Sequence, residues 1–220
     1  ADLLTLCFVG EELGWGDLGI ASTFAQDWCV SRTLESICGD AQFAKLSSEF
    51  TADHAAHLTR ADLSANPSAE SRMPYVSSSG SSSGEKADEN IPAGAVHKGN
   101  EWVLGGFASH VMNGAAARWV LVSFDSGDSG GEDGRRAFLV DSSGGEGARI
   151  VRHHDPMGMR ACQDIDLAFE NLKVSEESHI PCETGAWAKN IPAFCALPAS
   201  AALGCARRAN EQATDHARER

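Results

Sequence analysis

The chain has 220 residues, 42% of them apolar, and 31 acidic against 18 basic side chains give it a formal net charge of -13. That length and apolar content can furnish a buried core in one large or two small domains, which argues against wholesale disorder. The acidic balance, with basic residues paired only as in Arg135-Arg136 and Arg207-Arg208, argues against nucleic acid or an anionic membrane surface as partner, because both require clustered Lys and Arg to displace counterions.

Leu3, Leu6, Cys7, Val9 and Leu13 recur at helical spacing, and Gly14 stands where a glycine commonly ends a helix. Gly19 to Ile37 predicts a second helix and Asp40 to Phe50 a third, with Asp40 placed to cap it. No apolar run approaches the roughly 20 residues of a membrane-spanning helix; the longest, Leu3 to Val9, is interrupted by Thr5. No basic leader and no cleavage signature is visible, and the first residue is Ala1 rather than Met, which fits a processed form or a fragment.

From Met73 the texture changes to short β-rich runs separated by glycine. Ala93–Lys98, Glu101–Phe107, Trp119–Ser123, Arg136–Asp141, Ala148–His153 and Ile165–Phe169 read as strands, with turns and loops at Lys98-Gly99-Asn100, Ser126–Gly134 and Ser142–Gly147. Strands at this spacing without helices between them predict an antiparallel barrel or sandwich. After Pro198 the chain becomes alanine-rich and helical to Arg220, with Leu203, Ala206, Ala209 and Ala213 as its apolar track. A stripe that small-sided needs another element to pack on, and the expected one is a second chain. The expected fold is therefore α+β: a helical N-terminal segment over 1–72, an antiparallel β-barrel or sandwich over 73–185, and the start of a C-terminal helical domain over 186–220.

The seven cysteines are scattered with no CxxC pair, so zinc-finger and thioredoxin-type readings lack support and reduced, mostly buried thiols in a reducing compartment are expected. His153-His154-Asp155 invites a metal reading, but adjacent histidines on a strand point apart, and no metal site is expected. The acidic glycine-rich run Ser126–Asp133 reads as a solvated loop rather than a calcium loop, and Cys162, with nothing nearby to activate it, as a packing residue.

Several local segments, in this order, resemble the acyl-CoA dehydrogenase family. Glu11-Glu12-Leu13-Gly14-Trp15-Gly16-Asp17-Leu18-Gly19-Ile20 resembles the EELG-x-GD-x-GI segment of its N-terminal helical domain. Asn113-Gly114 before Trp119–Ser123 resembles its ITNG turn and following strand, and Ala137-Phe138-Leu139-Val140 its AFLV strand. Gly158-Met159-Arg160-Ala161 with Leu167–Val174 resembles its GMRAS…FE-x-V-x-VP stretch, and His216–Arg220 the YAKER end of the first helix of its C-terminal domain.

The resemblance implies a flavin, FAD, held by a VTEPGAGSD loop and a WIT tripeptide. The loop aligns with Val76–Gly84, where Ser77 keeps the hydroxyl of the family threonine and Ser83 the serine near the phosphates, while the Glu, Pro and Asp are lost. The tripeptide aligns with His110-Val111-Met112, so an imidazole replaces the packed indole and a thioether replaces the threonine that hydrogen-bonds flavin N5. Candidate cofactor positions are thus Val76, Ser77, Ser83, His110, Val111 and Met112. One family position for the catalytic glutamate aligns with Phe194 and the other has no counterpart, so no catalytic residue is assigned.

The expected function is that of an acyl-CoA dehydrogenase-like protein without catalysis, serving as a structural or accessory subunit in a homo- or hetero-oligomeric assembly. The alternatives are an FAD-dependent acyl-CoA dehydrogenase seen as an incomplete chain, with acyl-CoA as substrate, and a free-standing module for CoA-like ligands. The resemblance implies an organelle matrix, mitochondrial, as the location.

Overall fold

Residues 1–63, 93–125, 135–142, 147–181 and 188–220 are described in the computed structural model. Asp2 accepts a hydrogen bond from the Thr5 N–H and opens α1 (Leu3–Gly16); Asp17 does the same through the Ile20 N–H for α2 (Leu18–Ile37), each at 2.9 Å. The third helix, α3 (Asp40–Ala52), starts at Gly39 with no side-chain cap; the expected cap, Asp40, lies inside the first turn, where its charge favours the positive end of the helix.

Among the described residues eight strands follow: β1 (Leu58–Asp62), β2 (Gly94–Lys98), β3 (Glu101–Val111), β4 (Trp119–Asp125), β5 (Arg135–Asp141), β6 (Ala148–His153), β7 (Ile165–Ser175) and β8 (His179–Ile180). They form two four-stranded sheets, ordered β1-β4-β5-β8 and β2-β3-β7-β6. Among the described residues both sheets stay open, so the architecture is a sandwich and not a closed barrel. All pairings are antiparallel except β1 with β4, which runs parallel from Leu58↔Trp119 to Asp62↔Ser123.

Alternation along β4 sets two cores on the two faces of its sheet. Val120, Val122 and Phe124 face the other sheet with Phe138, Leu104, Phe169 and Leu172. Trp119 and Leu121 face α2 and α3, where Val30, Leu34, Leu46 and Ile180 join them. A third cluster, Ala25, Cys29, Ala193 and Leu197, lies among the helices. Burial pushes the Cys29 thiol up to about 12, and its Sγ lies 3.4 Å from the Ala193 carbonyl oxygen, so it acts as a packing residue.

The last helix, α4 (Ile191–Arg218), begins before Pro198 and carries that proline inside it. Its packing corrects two expectations. It docks within the chain, on α1 and α2, and its buried residues are Ala193, Leu197, Ala201 and Gly204, whereas Leu203 is 57% exposed. The reason is close approach: a Cβ on Gly14 would lie 2.0 Å from the Ala201 carbonyl oxygen, and one on Gly204 only 1.9 Å from that of Glu11. Gly14 therefore does not end α1 but lets α4 approach it. Polar ties flank this contact. The Trp15 Nε1–H donates to Glu211 at 2.7 Å, and the Arg207 guanidinium pairs with Glu11 at 2.6 Å and Glu12 at 2.8 Å. An exposed Leu203 leads to a simple expectation: Leu203→Asp should leave the chain's own unfolding free energy within about 0.5 kcal/mol of the parent in chemical denaturation.

Candidate functional site

Three strand ends meet at one edge of the β2-β3-β7-β6 sheet. The end of β3 carries Ser109 and His110, β7 begins just after Asp164 with Ile165 and Asp166, and His154 follows β6. The β3–β7 register shifts between Ala108 and Val111, and His110 sits there with φ +53°, a left-handed conformation uncommon for a residue with a Cβ. This irregularity turns the His110 ring out of the ladder and onto His154; the two imidazoles stack with centroids 4.2 Å apart and planes 18° from parallel.

Two carboxylates hold the rings. Asp166 accepts from His154 Nε2 at 2.8 Å, from the Ser109 hydroxyl at 3.0 Å and from the His110 backbone N–H at 3.0 Å, all on Oδ1. Burial alone would raise this carboxyl, but the His154, His110 and Ser109 bonds outweigh it and hold the group below the usual carboxylate range. An ionised Asp166 only accepts, so Nε2 of His154 is the donor in that bond. Asp164 Oδ2 lies 2.9 Å from His110 Nδ1, and the Asp164 carbonyl accepts from the His154 N–H at 3.0 Å. The second Asp164 oxygen, Oδ1, is buried without a hydrogen-bond partner among the described residues.

The positions expected to hold a flavin fare differently. Val76, Ser77 and Ser83 lie outside the described residues. His110 belongs to the cluster just built. Val111 is 1% exposed, with its side chain in the inter-sheet core, and Met112 contributes its carbonyl, which accepts from the Thr59 hydroxyl at 2.6 Å. Of the three described positions only His110 has a polar side chain, and that imidazole is engaged by Asp164 and His154. These three therefore do not reproduce the packed indole and hydroxyl donor that the flavin segment of the resemblance requires. Phe194 lies half-buried under the Arg60 guanidinium, 4.9 Å from the ring centre, as a packing residue.

His153 is exposed and outside the cluster, so the adjacent histidines do point apart. The partner of His154 is instead His110, far away in sequence. Cys162 is buried; burial pushes its thiol up against the lowering effect of the Thr23 hydroxyl and the Asn113 N–H, which suits a protonated packing residue. Elsewhere a groove of about 610 Å³ runs between α3 and the β5–β8 edge, lined among others by Lys45, Glu49, Trp119, Leu139 and His179. The His179 ring in it stacks on Trp102 at 5.0 Å, and burial lowers its basicity. The groove does not include the histidine–aspartate cluster.

No protein-family model matches the sequence. Among curated proteins the chain is similar to cyclohex-1-ene-1-carbonyl-CoA dehydrogenase of Syntrophus aciditrophicus, 35% identical over 57% of this chain and 31% of that protein. The enzyme of the same name from Geobacter metallireducens is 30% identical over 57% of this chain and 34% of its own length. The short/branched chain specific acyl-CoA dehydrogenase, mitochondrial, of Rattus norvegicus is 37% identical over 38% of this chain and 19% of its own length. The matched part thus spans at most about a third of these relatives. Among solved structures, butyryl-CoA dehydrogenase from Megasphaera elsdenii superposes over all of this chain and 54% of its own, with a TM-score of 0.78 at 20% identity. A probable acyl-CoA dehydrogenase from Mycobacterium abscessus gives a TM-score of 0.73 at 20% identity, covering 100% of this chain and 55% of its own. The chain has the acyl-CoA dehydrogenase fold and is similar in sequence to acyl-CoA dehydrogenases over part of its length. Among the described residues no helix is long and apolar enough to cross a membrane.

Proposed function

We propose that this is an acyl-CoA dehydrogenase-like protein that serves as a structural or accessory subunit of a larger assembly rather than as a dehydrogenase. The observation that carries this reading is His110. Where the resemblance implies an indole packed on flavin, the imidazole is tied to Asp164 at 2.9 Å and stacked on His154. Phe194, at one family position for the proton-abstracting glutamate, cannot accept a proton. Apolar side chains left outward on α1 and α4, with Leu4 65%, Phe8 62% and Leu203 57% exposed, are what a neighbouring subunit would cover.

A second reading, that the chain is part of an FAD-dependent acyl-CoA dehydrogenase, is favoured by the names of the relatives. Flavin would then supply the hydride acceptor, and the protein would orient the thioester. The name of the rat relative favours a mitochondrial location, whereas the Syntrophus and Geobacter relatives are bacterial.

Flavin content and turnover separate the two. The native protein as purified should be colourless in the visible range and release no flavin on denaturation, and acyl-CoA-dependent reduction of an artificial acceptor should be absent across chain lengths. Loss of the base alone accounts for about 10² to 10⁴ in rate. Stoichiometric flavin together with acyl-CoA-dependent reduction would discard the accessory-subunit reading in favour of the second.

A further inference from the structure

We propose that His110, His154 and Asp164 form a binding site for a divalent transition-metal ion of the zinc type, a function that goes beyond the accessory-subunit reading and does not depend on it. One donor atom from each of the three lies within 4.8 Å of the others. A tetrahedral ion about 2.0 to 2.1 Å from each donor sets donors about 3.3 Å apart. His110 Nδ1 and Asp164 Oδ2 already stand at 2.9 Å, and His154, stacked on His110 with planes 18° from parallel, would turn out of that stack to aim a ring nitrogen at the same ion.

One unmatched oxygen points to a cation rather than to a hydrogen-bond network complete in itself, and the surrounding bonds hold the donors in place. Asp164 Oδ1 is buried with no hydrogen-bond partner among the described residues, and an ion on this carboxylate would take up that unmatched charge. Asp166 acts as the outer carboxylate: it accepts from His154 Nε2 at 2.8 Å, which fixes the tautomer and leaves the other ring nitrogen to donate to a metal. The same carboxylate is itself fixed by the Ser109 hydroxyl and the His110 N–H, each at 3.0 Å, as an orienting group should be. His110 is held at φ +53°, a backbone conformation that persists only where its surroundings impose it.

The donor chemistry selects the ion. Two imidazole nitrogens and one carboxylate oxygen suit zinc and its neighbours, whereas calcium and magnesium take oxygen ligands. Three protein donors leave a fourth position for water or an anionic ligand, the open arrangement of zinc sites that bind small molecules.

The test is a Zn²⁺ titration of the full, flavin-free, metal-stripped chain by calorimetry, repeated with Co²⁺ to read the visible bands of a low-symmetry site. One equivalent per chain is expected. His154→Gln and Asp164→Asn should each weaken binding by at least tenfold, Asp166→Asn by about 10- to 100-fold, and His153→Gln should leave it unchanged. Circular dichroism would verify that each variant is folded. Should Asp166→Asn unfold, protection of His110 and His154, but not His153, from an acylating histidine reagent by Zn²⁺ supplies the same discrimination. Failure to take up one equivalent of Zn²⁺, or uptake that survives both His154→Gln and Asp164→Asn, overturns the proposal whatever the flavin assay returns.

Discussion

Gly204→Val should separate α4 from α1 and lower the unfolding free energy by about 3 kcal/mol or more, at the upper end of overpacking effects. The new Cβ would fall 1.9 Å from the Glu11 carbonyl oxygen and 2.7 Å from the Trp15 backbone nitrogen. Both are main-chain atoms of a helix, so no rotamer change relieves the clash and one whole helix must move. Moving it also loosens Leu197 and Ala193 from Cys29 and misaligns Trp15 with Glu211. The sign is informative because glycine in a helix interior ordinarily costs up to about 1 kcal/mol relative to alanine. Gly16→Ala, at the end of α1 with open space around it, should accordingly be neutral or slightly stabilising. Chemical denaturation of the pair decides the matter, and equal effects at the two glycines would refute the close-packing account.

Phe138→Ala should cost about 3 to 5 kcal/mol, the range for truncating a large core aromatic. The side chain is fully buried between the sheets, with ring centres 5.4 Å from Trp102, 6.2 Å from Phe124 and 5.2 Å from His179. It lies on β5, and the rings it touches come from β3, β4 and β8, so the void would sit where the sheets face each other. Phe8→Ala, on a residue 62% exposed, serves as the surface comparison and should shift stability by no more than about 0.5 kcal/mol. A similar loss at both positions, read from denaturation midpoints and slopes, would mean that the inter-sheet core is not where stability resides.

The strands legible in the sequence are those whose residues alternate against a core on each side. Trp119–Asp125 is the clearest, because Val120, Val122 and Phe124 go one way and Trp119 and Leu121 the other. β1 gave no such signal. Thr59, Arg60 and Asp62 break any apolar pattern, yet Thr59 is buried because its hydroxyl donates to the Met112 carbonyl, and Asp62 accepts from the Ser123 hydroxyl. A polar strand satisfied by tertiary partners cannot be read from periodicity. The α4 helix was legible from its alanines, but its contact face was not. Reading a helix by its largest apolar residue selects Leu203, whereas contact at backbone distance selects Ala201 and Gly204. The histidine–aspartate cluster was invisible for another reason. Its members come from separate strand ends, with His110 and Asp164 54 residues apart, and only the fold brings them together.

The α1–α4 contact also governs what happens while the chain is being made. Arg207 and Glu11, which clasp the two helices, are 196 residues apart in sequence. At ribosomal rates of roughly 5 to 20 residues per second, α1 is complete about 10 to 40 s before its partner is synthesised. During that interval Gly10 and Gly14 stand uncovered, with no α4 to bury them. The nascent protein therefore presents, for many seconds, a helical seam that mature molecules conceal. Holdase capture, or premature pairing with the still undocked α4 of a neighbouring chain, would compete with correct closure in that window. A domain-swapped dimer exchanging α4 is the failure this timing favours, and slowing elongation should increase it.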